Sequence, residues 1–307
     1  MLPSITPLPN FFIVGAPGAG TTSLNDHLDQ HPEIYMSPLR EPSFFSLEVR
    51  PETFEPALQQ YTRQQQAATR SYIRGPMNRS GVSGIVTEWE DYIRLFAGVR
   101  DQPAIGEASV SYLWSPTAAK AIASVLPHTR ILIILRDPAD RAFCQYLHNV
   151  SGGLVTTSFR SHINASMLHT AAGFTALSPL LELGLYTEQV ERYLSLFPAE
   201  QIRIWLYEDT TSNPQRFLCE VLRFLGVDPA LTEHPQTTGI AQTPHRNGLW
   251  TTLKNLTPTP IKPFTKNKKT SSEKMSANDR RFLINYYKAD IDRLAKLLDR
   301  DLSSWLR

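Results

Sequence analysis

An α/β fold with a mainly parallel sheet of about five strands is predicted by three features of the sequence. Short apolar runs recur along the chain: NFFIVG, EIYM, AIGEAS, RILIILR and QIRIWLY all read as strands. Stretches with helical periodicity separate them, and such alternation produces parallel pairing. The first run also leads directly into a glycine-rich loop and then a helix signal.

The 307 residues, 41% of them apolar, can bury a large core, and the chain reads as one domain over residues 1–307. A net charge of +2, from 31 basic and 29 acidic residues spread along the chain, leaves no electrostatic footprint for nucleic acid. Cys144 and Cys219 are the only cysteines, too few for a disulfide framework or a four-cysteine metal site. A cytoplasmic location suits that usage. The longest purely apolar runs, FFIVGA and ILIIL, fall far short of the roughly 20 residues of a membrane span. No Lys or Arg precedes Arg40, so a secretory leader reads poorly.

Taken in order, Asn10 to Gly15 is apolar and ends in glycine, as a buried parallel strand does. TTSLNDHLDQ supplies hydroxyl residues for a helix start, places Leu24 and Leu28 on one face, and is closed by His31 and Pro32. Further on, Phe217, Leu218, Val221, Leu222 and Leu225 share a helix face that Gly226 terminates. Leu283, Tyr287, Ile291, Leu294 and Leu298 form a second stripe near the end. Between these helices, residues 232–275 are rich in Thr and Pro, with Lys262, Lys266, Lys268, Lys269 and Lys274, and read as a surface loop. RGPMNRSGVSG, within 68–84, reads the same way, and the acceptor side of any site is expected in loops 47–84 and 151–182.

The loop GAPGAGTTS has the spacing of the nucleotide-binding GxxxxGK[ST] motif, with Thr21 where lysine belongs. What remains is a glycine turn feeding a helix N-terminus, whose free N–H groups and dipole attract anions without any side chain. Gly18, Ala19, Gly20, Thr21, Thr22 and Ser23 are therefore candidate anion ligands, against the alternative of a tight turn with no ligand.

The same loop resembles the 5′-phosphosulfate loop, KxGTT then helix, of sulfotransferases that use 3′-phosphoadenosine-5′-phosphosulfate (PAPS), with Gly18 at the lysine position. ILIILRDPADRAFCQYLHN resembles their 3′-phosphate site, with Arg136 matching its arginine and Cys144 standing at its serine. Pro138 suits the first helical position there, and a guanidinium suits phosphate. A thiol is a weaker donor, and a small buried hydrophobe is the plainer reading of Cys144. LYEDT is similar to the segment that would set Tyr207 near the adenine, and Arg246 and Gly248 fall in an RNG that is like the family's RKG element at the 3′-phosphate. FLGV and the tail closing in DLSSWL follow in family order. The resemblance implies a P-loop NTPase-like three-layer fold, PAPS as donor with PAP as product, and a small-molecule or glycan acceptor.

Sulfuryl transfer needs a base for the acceptor and positive charge or dipoles for the leaving group. The resemblance places that base at Glu41, by the ExxFF spacing of SPLREPSFFS, and Glu107 near the acceptor. Arg40, the first cation of the chain, is a candidate replacement for the missing lysine, as is a lysine of the 262–274 loop. A Glu41 simply paired with Arg40 is the competing reading, as is an Arg136 paired with Asp137 or Asp140. The histidines show no metal spacing, so no metal is assigned. A small-molecule kinase using ATP and Mg²⁺ and a non-catalytic PAPS or PAP binder are the alternative functions.

Overall fold

The computed structural model describes residues 7–53, 56–77, 82–151, 155–168, 179–231 and 274–307. Its strands are β1 (Phe11–Gly15), β2 (Ile34–Met36), β3 (Leu39–Arg40), β4 (Val82–Ser83), β5 (Ala104–Ala108), β6 (Arg130–Leu135) and β7 (Ile202–Leu206). Its helices are α1 (Thr21–Leu28), α2 (Pro56–Arg74), α3 (Trp89–Arg94), α4 (Ser111–Trp114), α5 (Ala118–Val125), α6 (Pro138–Ser151), α7 (Phe159–Leu168), α8 (Tyr186–Leu194), α9 (Tyr207–Ser212), α10 (Pro214–Leu225) and α11 (Ala277–Leu298).

Five strands form one sheet in the order β2-β5-β1-β6-β7, all neighbours parallel. These are the five runs anticipated from the sequence. β1 is central and wholly buried, as are Ile131 to Leu135 of β6, which is why both strands read as unbroken apolar runs. Gly106 of β5 makes room for the Phe11 ring, whose Cζ lies 2.0 Å from where a Cβ would stand. From β1 the chain builds first to one side and later to the other. The crevice at the carboxyl ends of the strands beside β1 is where such sheets bind ligands.

The helix stripes behave as their patterns require. Phe217, Leu218, Val221, Leu222 and Leu225 are buried on α10, which starts at Pro214 under an Asn213 cap and stops at Gly226, φ +76°. Leu283, Tyr287, Ile291 and Leu294 are buried on α11. The same helix turns Asp290 inward, where its carboxylate accepts from the Tyr186 and Thr187 N–H groups and so caps α8.

Two regions differ from expectation. The segments expected as acceptor loops contain helices, α2 within 47–84 and α7 within 151–182. Among the residues of α2 whose burial is described, Thr62, Thr69 and Ile73 are buried, and its Gln, Ala and Arg content favours helix. RGPMNRSGVSG contributes two residues, Val82 and Ser83, to a short ribbon with Leu39 and Arg40. The expected lysine-rich loop, apart from Lys274, lies outside the described residues.

Candidate active site

Most described site candidates sit at or just beyond the carboxyl end of a strand, and Cys144 stands farther along α6. The loop after β1 takes left-handed backbone at Gly18, φ +76°, and Gly20, φ +89°, conformations a side chain disfavours. Gly20 is the N-cap of α1, where no side chain caps the helix and no acid occupies the first turn, so the dipole is left for an external anion. Ala19, Thr21 and Ser23 are buried around the turn, and Thr22 is half-buried.

Arg136 leaves the end of β6 and reaches across to this loop. Its Nη1 donates to the Gly18 carbonyl at 2.9 Å, and its Cζ lies 4.5 Å from the centre of the Tyr207 ring at the end of β7. Tyr186 donates from its hydroxyl to the Arg136 carbonyl at 2.9 Å. Asp137 and Asp140 turn instead to Arg280 of α11, which disposes of the reading in which they hold Arg136. Pro138 opens α6 as anticipated. One turn on, the Cys144 sulfur lies 3.6 Å from the point a Cβ on residue 18 would occupy. Gly18, Arg136, Cys144 and Tyr207 are thus one cluster. Arg246 and Gly248 lie outside the described residues.

Glu41 follows β3, and its competing pairing with Arg40 does not form. Arg40 binds Asp26 of α1 instead, so its charge is matched and it is not the spare cation the sequence suggested. Glu41 accepts from the Val110 N–H at 2.8 Å. Burial pushes its carboxyl up to about 8, the Glu107 charge adding to the rise while the Val110 N–H and the Arg40 charge oppose it. Both Glu41, φ +53°, and Ser43, φ +49°, hold left-handed backbone that non-glycine residues seldom adopt.

Behind them lies a buried network that sequence reasoning missed. Glu107 accepts from Ser109 Oγ at 2.5 Å, Tyr92 at 2.6 Å and Tyr112 at 3.2 Å. Burial still pushes its carboxyl up to about 7, against the pull of those three hydroxyls. Ser109 Oγ in turn accepts from the Ser43 N–H at 2.9 Å, tying the network to the Glu41 turn. Only Glu107 was visible as a charged residue inside a strand run; Ser109 and Tyr112 follow it closely in sequence, and Tyr92 reaches it from α3. Among the described residues no group of His, Cys, Asp and Glu could hold a metal ion, and no helix is long and apolar enough to cross a membrane.

Comparison with known proteins agrees with this architecture. The chain is 31% identical to a solved sulfotransferase from Alicyclobacillus acidocaldarius, covering 98% of this chain and 100% of that one with a TM-score of 0.74. That likeness carries the P-loop NTPase-like fold. It is 30% identical to the human bifunctional heparan sulfate N-deacetylase/N-sulfotransferase 3 over 98% of its own length and 31% of that protein's. Human carbohydrate sulfotransferase 15 is 25% identical over 72% of this chain and 44% of that protein. The chain therefore spans less than half the length of these two relatives. Residues 9–233 match the family described as "Sulfotransferase family", and the chain belongs to it.

Proposed function

We propose that the protein transfers a sulfuryl group from PAPS to a hydroxyl or amine of a glycan, with Glu41 as the base. The heparan sulfate and carbohydrate enzymes among its relatives support the acceptor class. The residues present fit such a donor. Gly18 and Gly20 form a cradle that Cβ atoms would strain, α1 points its uncapped N-terminus into it, and Arg136 with Tyr207 stands beside it. When bound, PAPS supplies the activated sulfuryl group.

The chain's own residues do the rest. The loop backbone and the α1 dipole hold the 5′ end, Arg136 binds phosphate through its fork, and Glu41 accepts the acceptor's proton. The observation that carries this reading is the placement of Glu41: its carboxyl is held by the Val110 N–H on a turn of left-handed backbone just after β3, where burial raises its pKa. Only its ionised form can take a proton, so turnover should rise with pH through about 8.

Glu41→Gln keeps the shape and removes proton acceptance. Turnover should fall about 10²- to 10⁴-fold with PAP affinity near wild type. Full turnover in the variant, measured by PAPS-dependent sulfation of glycan acceptors, would remove Glu41 from the chemistry.

A further inference from the structure

Three guanidinium groups and two carboxylates gather where the loop meets the start of α6. Arg280 takes both acids, Asp137 at 2.5 Å and Asp140 at 2.9 Å. Among the described residues this leaves Arg136 and Arg141 without a carboxylate partner, and both lie against Gly18. Arg136 reaches it through its head, whereas the Arg141 Cγ lies 3.9 Å from the position of a Cβ on residue 18.

Arg141 is the more unusual of the two. It is fully buried, yet its Nη1 donates to Gln145 Oε1 at 2.6 Å and its Nη2 to the Leu180 carbonyl, both neutral acceptors. Its Nε makes no hydrogen bond, and a further polar group set against the head is the neutral Tyr287 hydroxyl. A desolvated charge of this kind is costly unless an anion answers it. No described carboxylate does so, and the anion-binding loop runs beside its stem. Arg40 cannot share the task, being matched by Asp26.

We propose that Arg141 is the fixed cation of the phosphate loop, standing in for the lysine that Gly18 replaces, and that a 5′-phosphate or phosphosulfate group neutralises it on binding. This rests on the donor reading above and deepens it. Arg141 is a positioning residue: its stem lies against the loop, its head is anchored at Gln145 and Leu180, and it acts through its field. That field favours anions at the 5′ end of a nucleotide, while Arg136 contacts phosphate directly.

The test compares adenosine 3′,5′-bisphosphate with adenosine 3′-monophosphate, which lacks the 5′ group, by titration calorimetry. Wild type should prefer the bisphosphate. Arg141→Met, similar in length but uncharged, should cut that preference roughly tenfold, the order expected of one nearby unit charge at an effective dielectric near 20. Affinity for the 3′-monophosphate should hold, and Arg141→Lys should keep the wild-type preference. A folded Arg141→Met with an unchanged preference, or one in which both ligands weaken equally, overturns the proposal. Should Arg141→Met fail to fold, Arg141→Lys decides: loss of the preference in that folded, still cationic variant is fatal to it, and retention supports it. Failure of wild type to bind either ligand would instead remove the donor reading itself.

Discussion

Replacing Gly18 by lysine installs the side chain that the sequence resemblance leads one to expect in this loop, and the structure separates the gain from the cost. A Cβ at residue 18 would meet the Cys144 sulfur at 3.6 Å, Cys144 Cβ at 3.8 Å and Arg141 Cγ at 3.9 Å, all ordinary contacts, so sterics do not oppose it. The backbone does. At φ +76° any residue with a Cβ costs roughly 1 kcal/mol or more, which should lower Tm by about 2–4 °C for a domain of this class. Gly18→Ala carries that cost alone. Gly18→Lys adds an ammonium where negative charge grows on the leaving oxygen, and a charge-assisted hydrogen bond of roughly 1.5–3 kcal/mol made only in the transition state is worth about 10- to 150-fold in kcat. Single-turnover sulfation and thermal melts on both variants measure the two terms separately. Lysine should exceed alanine and wild type in rate while melting like alanine. If lysine turns over no faster than alanine, the departing phosphate is already supported and the argument from the missing side chain fails.

Three further outcomes follow from the same geometry. Arg136→Ala removes a guanidinium that also holds the Gly18 carbonyl, so PAP affinity should fall by roughly 1.5–3 kcal/mol, read by calorimetry; unchanged affinity would move the phosphate elsewhere. PAP and PAPS should raise Tm well above the effect of ATP with Mg²⁺, and the reverse order would favour a kinase. Glu107 has its folded-state carboxyl raised from 4.5 to about 7, so its contribution to stability is full below pH 4.5 and is lost as pH rises through 7. Glu107→Gln should therefore flatten the fall of Tm over that window, whereas a parallel slope in both proteins would mean Glu107 is not the titrating group.

The fold was legible wherever periodicity was strong. β1 and β6 are buried on both faces, and α10 and α11 present one apolar stripe, so their patterns survive translation into sequence. α2 was not legible: of its described buried positions, Thr62, Thr69 and Ile73, two are threonine. In the site, the residues carried by contiguous motifs, the loop, Arg136 and Tyr207, stand together in the structure, with Glu41 on the turn after β3. What sequence could not carry was partnership. Arg40 finds Asp26 rather than its neighbour, Arg280 crosses from the last helix to claim Asp137, and Tyr92, Tyr112 and Ser109 converge on Glu107 from separate elements. Arg141 left one usable signal: a charge on the α6 face that also carries Pro138, Ala142, Gln145 and Asn149, all of them buried.

These partnerships bear on whether the site is active or a binding remnant. Gly18 and Cys144, the positions at which the sequence resemblance leads one to expect a lysine and a serine, are neighbours in space. A passive binder would need the loop and Arg136 but no base. Yet Glu41 and Ser43 are both kept in left-handed backbone, which costs of order 1–3 kcal/mol each and persists only where surroundings enforce it. Here the enforcing contacts are the Val110 N–H on the Glu41 carboxylate and the Ser109 hydroxyl on the Ser43 N–H, backed in turn by Glu107. Left-handed backbone of that kind, concentrated on the turn that carries Glu41, fits the role proposed for it as the base better than it fits a passive binder.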